Sequence, residues 1–258
     1  MKKTISKVLA LMICLIMAGA LSACGSKDKV YKVSTEPTYP PFDTTNKNGD
    51  IVGFDMDLMK AIAKDQGFKV EFESLEFDAL IPALKSDSTD IVIAGMNVTP
   101  ERSKQVAFSD PYYKTGIVVL VKKDNTTITG WDSFTSGSGL KVAAQTGTSQ
   151  ADIAEQLKKE GKISKATILN QNTTALQQLE NGDVDAVLLD KPVAVDIVSL
   201  QGDKYKTVGD MKADSVADVA IAVKKDNKDL LKKINKGLKN LKENGTYDKL
   251  AKKWKIEQ

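Results

Sequence analysis

The feature that most constrains the fold is an alternation of apolar strands and amphipathic helices that occurs twice along the chain. In its first occurrence, strands are predicted at residues 30–34, 70–72 and 90–94. Between them, residues 54–62 carry apolar side chains at helical spacing, and Gly67 is placed to end that helix. Apolar strands that alternate with helices predict a parallel sheet covered by helices on both faces.

The alternation restarts after Trp131. Strands are predicted at residues 140–144, 166–169 and 186–189, with helical segments between them. The chain is therefore expected to form two α/β units, and its length is sufficient for a core in each.

Two similar segments, residues 116–123 and 219–225, connect these units, and each is an apolar strand that ends in two lysines. If both are crossovers, the chain enters the second lobe through one and returns through the other. The helices predicted at residues 229–241 and 247–254 then pack on the first lobe. Two unrelated edge strands are the alternative that spacing leaves open.

The predicted fold class is therefore α/β, with two lobes joined by two crossover hinge strands. Lobe 1 is expected to comprise residues 30–118 and 222–258, and lobe 2 residues 119–221. A cleft between two hinged lobes is a natural ligand site.

The N-terminus predicts export. Three lysines precede an apolar run at residues 8–21, which is followed by Leu-Ser-Ala and Cys24, as is typical of a secretory signal peptide. The run has 14 residues, whereas a helix needs about 20 to cross a bilayer, so a membrane-spanning anchor is the weaker alternative. Leu-Ser-Ala-Cys resembles the lipobox of bacterial lipoproteins, in which the signal is cut before the cysteine and the thiol is lipidated.

That resemblance implies a signal peptide at residues 1–23 and a lipidated tether at residues 24–29. Cys24 would then hold the protein on the extracytoplasmic side of a membrane, at the cell surface or in a periplasm. Cleavage removes three lysines and no acidic residue, so 34 basic and 34 acidic residues remain. A balanced chain lacks the basic face that a nucleic-acid partner needs, so none is expected.

The chain contains no histidine, which excludes Ser-His-Asp and Cys-His catalysis and removes the commonest transition-metal ligand. Cys14 leaves with the signal peptide and Cys24 is lipidated, so neither a disulfide nor a cysteine zinc site is expected. No metal or other cofactor is therefore expected.

Six motifs resemble those of the polar amino-acid binding proteins of bacterial ABC importers. They are residues 35–42 (TEPTYPPF), 53–58 (GFDMDL), 95–102 (GMNVTPER), 108–113 (FSDPYY), 145–149 (QTGTS) and 183–190 (DVDAVLLD). They follow the family's order over nearly the whole exported chain. The resemblance implies the type II periplasmic-binding fold, hinge closure around one free amino acid, and an importer permease as partner. We expect the protein to act as a monomer.

A free amino acid presents a carboxylate and an ammonium, so a binder needs a fixed cation and a fixed anion. The family pattern assigns the carboxylate to Arg102, whose planar fork matches it bidentately. It adds Thr148 and Ser149, at a predicted helix start, as a second grip from the other lobe. The alternatives are a surface arginine paired with Glu101 or Asp110, and an ordinary helix cap at Thr148.

The family pattern assigns the ammonium to Asp190, which ends an apolar strand where an unpaired carboxylate would be costly. A helix cap before Pro192 is the alternative. The pattern also implies ligand contacts at the end of the strand at residues 90–94 and just after it, namely Ala94, Gly95, Asn97 and Thr99.

The ligand side chain is expected to lie between Tyr39 and Phe77, although lone aromatic residues are more often part of a core. Glu36 and Gln145 are implied to reach its end. An acid there favours a cationic or amide group and repels a carboxylate by several kcal/mol where water is excluded. Basic amino acids or glutamine are therefore expected, with cystine as a further candidate. A solvated loop acid is the alternative for Glu36.

The main alternative of another class is an enzyme on the same fold. Cyclohexadienyl dehydratase resembles these binders, and Glu36 or Asp190 could serve as a general acid of raised pKa. The intact ammonium pattern at Asp190 and the predicted lipid anchor favour a binding protein. A sensory domain would need a second membrane segment or a signalling domain, and the sequence contains neither.

Overall fold

A computed structural model describes residues 29–256 of the chain. The predictions for the signal peptide, for Cys24 and for most of the tether lie outside the described residues. Within residues 29–256, none of the helices combines the length and the apolar character that crossing a membrane requires.

The strands are numbered in chain order. They are β1 (Val30–Thr35), β2 (Thr38–Tyr39), β3 (Asp43–Thr45), β4 (Ile51–Val52), β5 (Lys69–Ser74), β6 (Ile91–Val92), β7 (Val106–Phe108), β8 (Tyr113–Thr115), β9 (Ile117–Lys122), β10 (Lys141–Gln145), β11 (Lys165–Leu169), β12 (Ala186–Asp190), β13 (Tyr205–Val208), β14 (Ala217–Val219) and β15 (Ala222–Lys224).

The α-helices are numbered in the same way. They are α1 (Phe54–Gln66), α2 (Leu80–Lys85), α3 (Pro100–Ser103), α4 (Ser149–Lys159), α5 (Asn172–Asn181), α6 (Lys191–Gln201), α7 (Lys228–Glu243) and α8 (Thr246–Lys253). Helix α1 ends as predicted at Gly67, which adopts the left-handed conformation at φ +68° and donates its N–H to the carbonyl of Ala63.

Two five-stranded sheets form the centres of the two lobes. The first has the order β5-β1-β6-β15-β7 and the second the order β11-β10-β12-β9-β13. In each sheet one strand is antiparallel to both of its neighbours, β15 in the first and β9 in the second. The prediction of wholly parallel sheets is therefore wrong for these two strands, because each of them enters its sheet from the hinge.

Two antiparallel strands join the lobes, as predicted, but they are not the predicted segments. The two apolar segments that end in lysines are β9 and β15, which are central sheet strands and not crossovers. The crossings are made by the shorter strands that precede them, β8 and β14, which pair antiparallel with each other. Ile117 and Val118 already pair with β12, so the second sheet begins before the predicted boundary at residue 118.

Helices cover both faces of each sheet because neighbouring strand residues point in opposite directions. In β6 and the residue after it, Ile91 and Ile93 pack towards α1, α7 and α8, whereas Val92 packs towards α2. The second sheet divides its buried side chains in the same way between α4 on one face and α5 with α6 on the other. The C-terminal helices pack on the first lobe, as predicted.

Candidate functional site

A cleft between the lobes is lined mainly by residues that follow or end the parallel strands. Ala94, Gly95 and Asn97 follow β6, Gln145 ends β10 and Asp190 ends β12. The carboxyl ends of parallel strands meet at one edge of a sheet, which is where ligands bind in open α/β sheets. The sheets of both lobes turn this edge towards the cleft.

The cleft is closed by hydrogen bonds that cross between the lobes. The Tyr39 hydroxyl donates to Asp190 Oδ2 over 2.6 Å, and Gln145 Nε2 donates to Glu36 Oε2 over 3.1 Å. Arg102 Nη2 donates to the carbonyl of Gly147 over 3.0 Å. The structure is therefore that of the closed conformation.

Arg102 supplies the positive charge of the cleft and is the only arginine in the sequence. Its guanidinium donates to the carbonyl oxygen of Asn97 over 2.6 Å and lies 5.3 Å from the centre of the Phe77 ring. Only 9% of the residue is exposed. Burial lowers its pKa, and the negative charges of Asp152 and Asp190 oppose that shift.

The described residues contain no ion pair that includes Arg102. The alternative of a surface arginine paired with Glu101 or Asp110 is therefore wrong. The guanidinium has five N–H donors, and its two hydrogen-bond partners within residues 29–256 are neutral carbonyls, so it can still bind a carboxylate.

Asp190 supplies the negative charge and is almost wholly buried. Its Oδ2 accepts from Tyr39 and also from Gln150 Nε2 over 2.8 Å, whereas its Oδ1 has no partner among residues 29–256. Burial raises its pKa, and the hydrogen bonds from Tyr39 and Gln150 limit the rise. It precedes α6 but makes no capping bond, so the alternative of a helix cap is wrong.

A second buried acceptor, Asn97 Oδ1, likewise has no partner among the described residues, and Asn97 also lines the cleft. A buried acceptor without a donor costs about 1–3 kcal/mol. An ammonium carries three donors, so it could satisfy both Oδ1 atoms.

The predicted aromatic residues Tyr39 and Phe77 both line the cleft. Tyr39 packs tightly over Gly95: a Cβ on Gly95 would lie 2.4 Å from Tyr39 Cε1, and Gly95 has φ +57°. The Gly95 N–H donates to the buried Asp55 Oδ2 over 2.9 Å, so Asp55 fixes this part of the cleft from the core.

Thr148 and Ser149 line the cleft at the start of α4. The Thr148 hydroxyl also accepts from the N–H of Ala151 over 3.2 Å, so it caps the helix as well. Thr99 differs from the prediction, because it is not among the lining residues. Its hydroxyl caps α3 by accepting from the N–H of Arg102, which makes it a residue that positions the guanidinium.

Glu36 is buried and is therefore not a solvated loop acid. It accepts from Thr38 and from Gln145 of the opposite lobe, and unlike Gln145 it is not among the residues that line the cleft. Burial raises its pKa, and the hydrogen bonds from Gln145 and Thr38 oppose the rise. Within the described chain, no ion pair includes Glu36.

Sequence reasoning missed four lining residues, which are Gln150, Asn172, Leu188 and Leu189. Gln150 follows Ser149 in the first turn of α4, and Asn172 begins α5. Their positions at helix starts near the cleft were a usable signal. The leucines belong to a continuous apolar strand in which no pattern marks a side chain that faces the cleft.

Comparisons with known proteins agree with this geometry. The profile of the bacterial extracellular solute-binding proteins, family 3, matches residues 31–257. The chain is 37% identical to the arginine-binding extracellular protein ArtP of Bacillus subtilis (strain 168), over 96% of this chain and 97% of that protein.

Two solved structures of an ancestral arginine-binding protein are also similar. One holds arginine, with 43% identity, a TM-score of 0.81, and 87% of this chain and 97% of that chain covered. The other holds glutamine, with the same identity and TM-score over 88% of this chain and 98% of that chain.

Gly147 should be essential for closure. It has φ +75°, and a Cβ there would lie 3.0 Å from Cβ and 3.2 Å from Cα of Asp78 in the opposite lobe. We expect Gly147→Ala to weaken ligand binding at least tenfold in titration calorimetry. Gly161→Ala is the matched control, because Gly161 has φ +69° but open space around it. Equal affinities in the two variants would contradict the closure argument.

Asp190 should destabilise the protein when no ligand is bound. Its pKa is raised on folding, so the folded state binds the proton more tightly and the charged carboxylate costs stability above the ordinary aspartate range. We expect Asp190→Asn to raise the free energy of unfolding by roughly 1 kcal/mol at pH 7 while abolishing ligand binding.

That gain should vanish as the pH falls through the pKa of Asp190, because the protonated wild-type side chain then resembles asparagine. Chemical denaturation between pH 3 and pH 8 measures it, and Asp183→Asn, at an exposed carboxylate of the same lobe, is the control. A loss of stability in Asp190→Asn at pH 7 would refute the assignment.

Proposed function

The chain belongs to family 3 of the bacterial extracellular solute-binding proteins, and from that membership we propose that it captures a basic amino acid, arginine first, for an ABC importer. The observation that carries the proposal is the pair of opposite buried charges in the cleft, Arg102 and Asp190. Arg102 and Asp190 do not form an ion pair with each other. A zwitterionic ligand would neutralise both at once.

The protein is a binding protein and not an enzyme, since similar relatives are named as amino-acid-binding proteins, several of them for arginine. The alternative of a dehydratase would need an acid that donates a proton to the ligand. The two acids that the alternative would use, Glu36 and Asp190, accept hydrogen bonds from neutral side chains. This arrangement is expected of carboxylates that bind a cationic group of the ligand.

In the proposed complex, the α-carboxylate binds to Arg102 and to the start of α4 at Thr148 and Ser149. The free N–H groups and the partial positive charge of a helix start favour an anion there. The α-ammonium donates to Asp190 Oδ1 and Asn97 Oδ1, the two buried acceptors on the cleft lining that have no other donor within residues 29–256.

The side chain of the ligand extends between Tyr39 and Phe77 towards Gln145 and Glu36. Glu36 is a buried carboxylate without a cationic partner in the described chain, so a guanidinium or ammonium would be attracted to it. A glutamate ligand would bring a like charge to this end and would be repelled. Arginine leads because its guanidinium carries several donors in a plane that matches a carboxylate.

We propose that the lobes close by bending at the hinge pair, β8 with β14. The ligand contacts come from both lobes, so closure brings them together and excludes water. Both lobes belong to one chain and enclose the ligand between them, which supports action as a monomer. A permease is the remaining partner, as the family's role in import implies.

The N-terminus supports a further proposal, that Cys24 is lipidated after cleavage of residues 1–23 and anchors the protein outside the cytoplasm. The support is the sequence Leu-Ser-Ala-Cys after a basic start and an apolar run of 14 residues. Family membership is consistent with the extracytoplasmic location. An anchored binder stays near its importer.

We expect arginine to stabilise the protein more than any other amino acid in a thermal-unfolding panel that includes lysine, histidine, glutamine, cystine and glutamate. Bound ligand adds RT ln(1 + [L]/Kd), which is about 4 kcal/mol at a concentration a thousand times Kd. Glutamate should have no effect. Protein unfolded and refolded before the assay carries no ligand from the host cell.

Arg102→Lys is the matched variant for this panel, since it keeps the charge and removes the fork. It should weaken arginine binding at least tenfold, because an ammonium cannot hold a carboxylate bidentately. Equal stabilisation by arginine and glutamate would refute the proposed side-chain selectivity. Unchanged affinity in Arg102→Lys would refute the role of the guanidinium.

Metabolic labelling with an alkyne-tagged fatty acid tests the proposed anchor. We expect the label on the wild-type protein and on Cys14→Ser, but not on Cys24→Ser, since these are the only two cysteines. The Cys24→Ser protein should also leave the membrane fraction. Label that persists in Cys24→Ser would disprove lipidation at this thiol.

A further inference from the structure

Three buried side chains form a chain of hydrogen bonds at the Glu36 end of the cleft. Asn172 Nδ2 donates to Gln145 Oε1 over 3.0 Å, and Gln145 Nε2 donates to Glu36 Oε2 over 3.1 Å. All three residues are at most 5% exposed. Glu36 belongs to the first lobe and the other two to the second, so this chain crosses the cleft.

The direction of the chain is fixed by the backbone. Gln145 Nε2 also donates to the carbonyl oxygen of Asn170 over 2.9 Å. A backbone carbonyl can only accept, so this atom of Gln145 must be the nitrogen. Its Oε1 then faces Asn172, which must present its own amide nitrogen.

Both N–H donors of the Gln145 side-chain amide are therefore engaged. Its two N–H groups serve Asn170 and Glu36, and its carbonyl accepts from Asn172. Glu36, by contrast, has four lone-pair positions, and the donors given to it are the Thr38 hydroxyl and Gln145. At this end of the cleft, a ligand can therefore donate to the free lone pairs of Glu36, whereas the N–H groups of Gln145 are already engaged.

We propose that Asn172 is a specificity-determining residue that makes the cleft select side chains that only donate hydrogen bonds. By holding Gln145 Oε1, it keeps the Gln145 amide turned towards Glu36 and Asn170. A guanidinium, which has no acceptor, is satisfied by Glu36. A ligand amide can donate its NH₂ to Glu36, but its carbonyl then receives no donor from Gln145. This inference rests on the proposed function and narrows its substrate class to cationic amino acids over glutamine.

The role is one of positioning, because Asn172 acts through Gln145. Without the Asn172 donor, the Gln145 amide loses one of its three hydrogen bonds, so it can shift an N–H from Glu36 to a ligand carbonyl while its other N–H stays on Asn170. Glutamine binding should then improve relative to arginine binding. A residue that merely supports the fold would weaken both ligands by the same factor.

The test is calorimetric measurement of Kd for arginine and for glutamine in the full protein. We expect the wild type to favour arginine over glutamine by at least tenfold and Asn172→Leu to lower that ratio about tenfold. Asn172 is the first residue of α5, and its backbone groups are unchanged by the substitution. Asn172→Ala, which creates no steric conflict, is the second variant and should lower the ratio in the same direction.

A double-mutant cycle with Gln145→Leu separates positioning from direct contact. If Asn172 acts through Gln145, then Asn172→Leu should change the ratio less than twofold when Gln145 is already leucine. A tenfold change in that background would overturn the positioning role. So would an unchanged ratio in both single variants of Asn172.

These outcomes are distinct from a failure of the proposed function. A wild-type protein that binds no arginine and no other cationic amino acid would overturn that function. A wild-type protein that binds arginine, together with Asn172 variants that keep its ratio, would overturn only the inference about Asn172.

Discussion

The cleft depends on two opposite charges that are buried without being paired to each other. Taking an ion out of water costs several kcal/mol unless other groups compensate, and here the compensation comes from neutral partners. Arg102 donates to backbone carbonyls, and Asp190 accepts from Tyr39 and Gln150. These partners fix the position of each charge but do not neutralise it. A molecule with a carboxylate and an ammonium at the matching separation would do so.

The same hydrogen bonds link recognition to closure. Tyr39 with Asp190 and Glu36 with Gln145 each join a residue of one lobe to a residue of the other. The groups that close the cleft are therefore the groups that are expected to meet the ligand. Each such bond contributes only about 1 kcal/mol net, so a few of them leave the lobes able to open. The close approach of Gly147 to Asp78 shows how little space closure leaves.

Much of the architecture was predictable from local sequence patterns, and the exceptions have a common physical cause. Periodicity located the main helices and strands of both lobes, and the hypothesis of two crossovers placed the C-terminal helices on the first lobe. It could not show that β9 and β15 run antiparallel, because the direction of each strand depends on where the chain enters its sheet from the hinge.

In the cleft, Arg102 and Asp190 were found from the family pattern. The hydrogen bond between Gln145 and Glu36 spans 109 residues, which no local pattern encodes. The capping role of Thr99 was available locally, because a threonine before a proline is typical of a helix start. One available signal was overlooked: Arg102 is the only arginine in the chain.

The central claim is that the cleft recognises both charges of a free amino acid at once. Titration calorimetry with arginine, agmatine and Nα-acetylarginine tests it most directly. Agmatine lacks the carboxylate that Arg102 would bind, and Nα-acetylarginine lacks the ammonium that Asp190 would bind. Arginine should bind, and each analogue should lose at least a hundredfold in affinity, which corresponds to about 2.7 kcal/mol. Binding of agmatine with the affinity of arginine would contradict the account, because the ligand would then be held by its side chain alone.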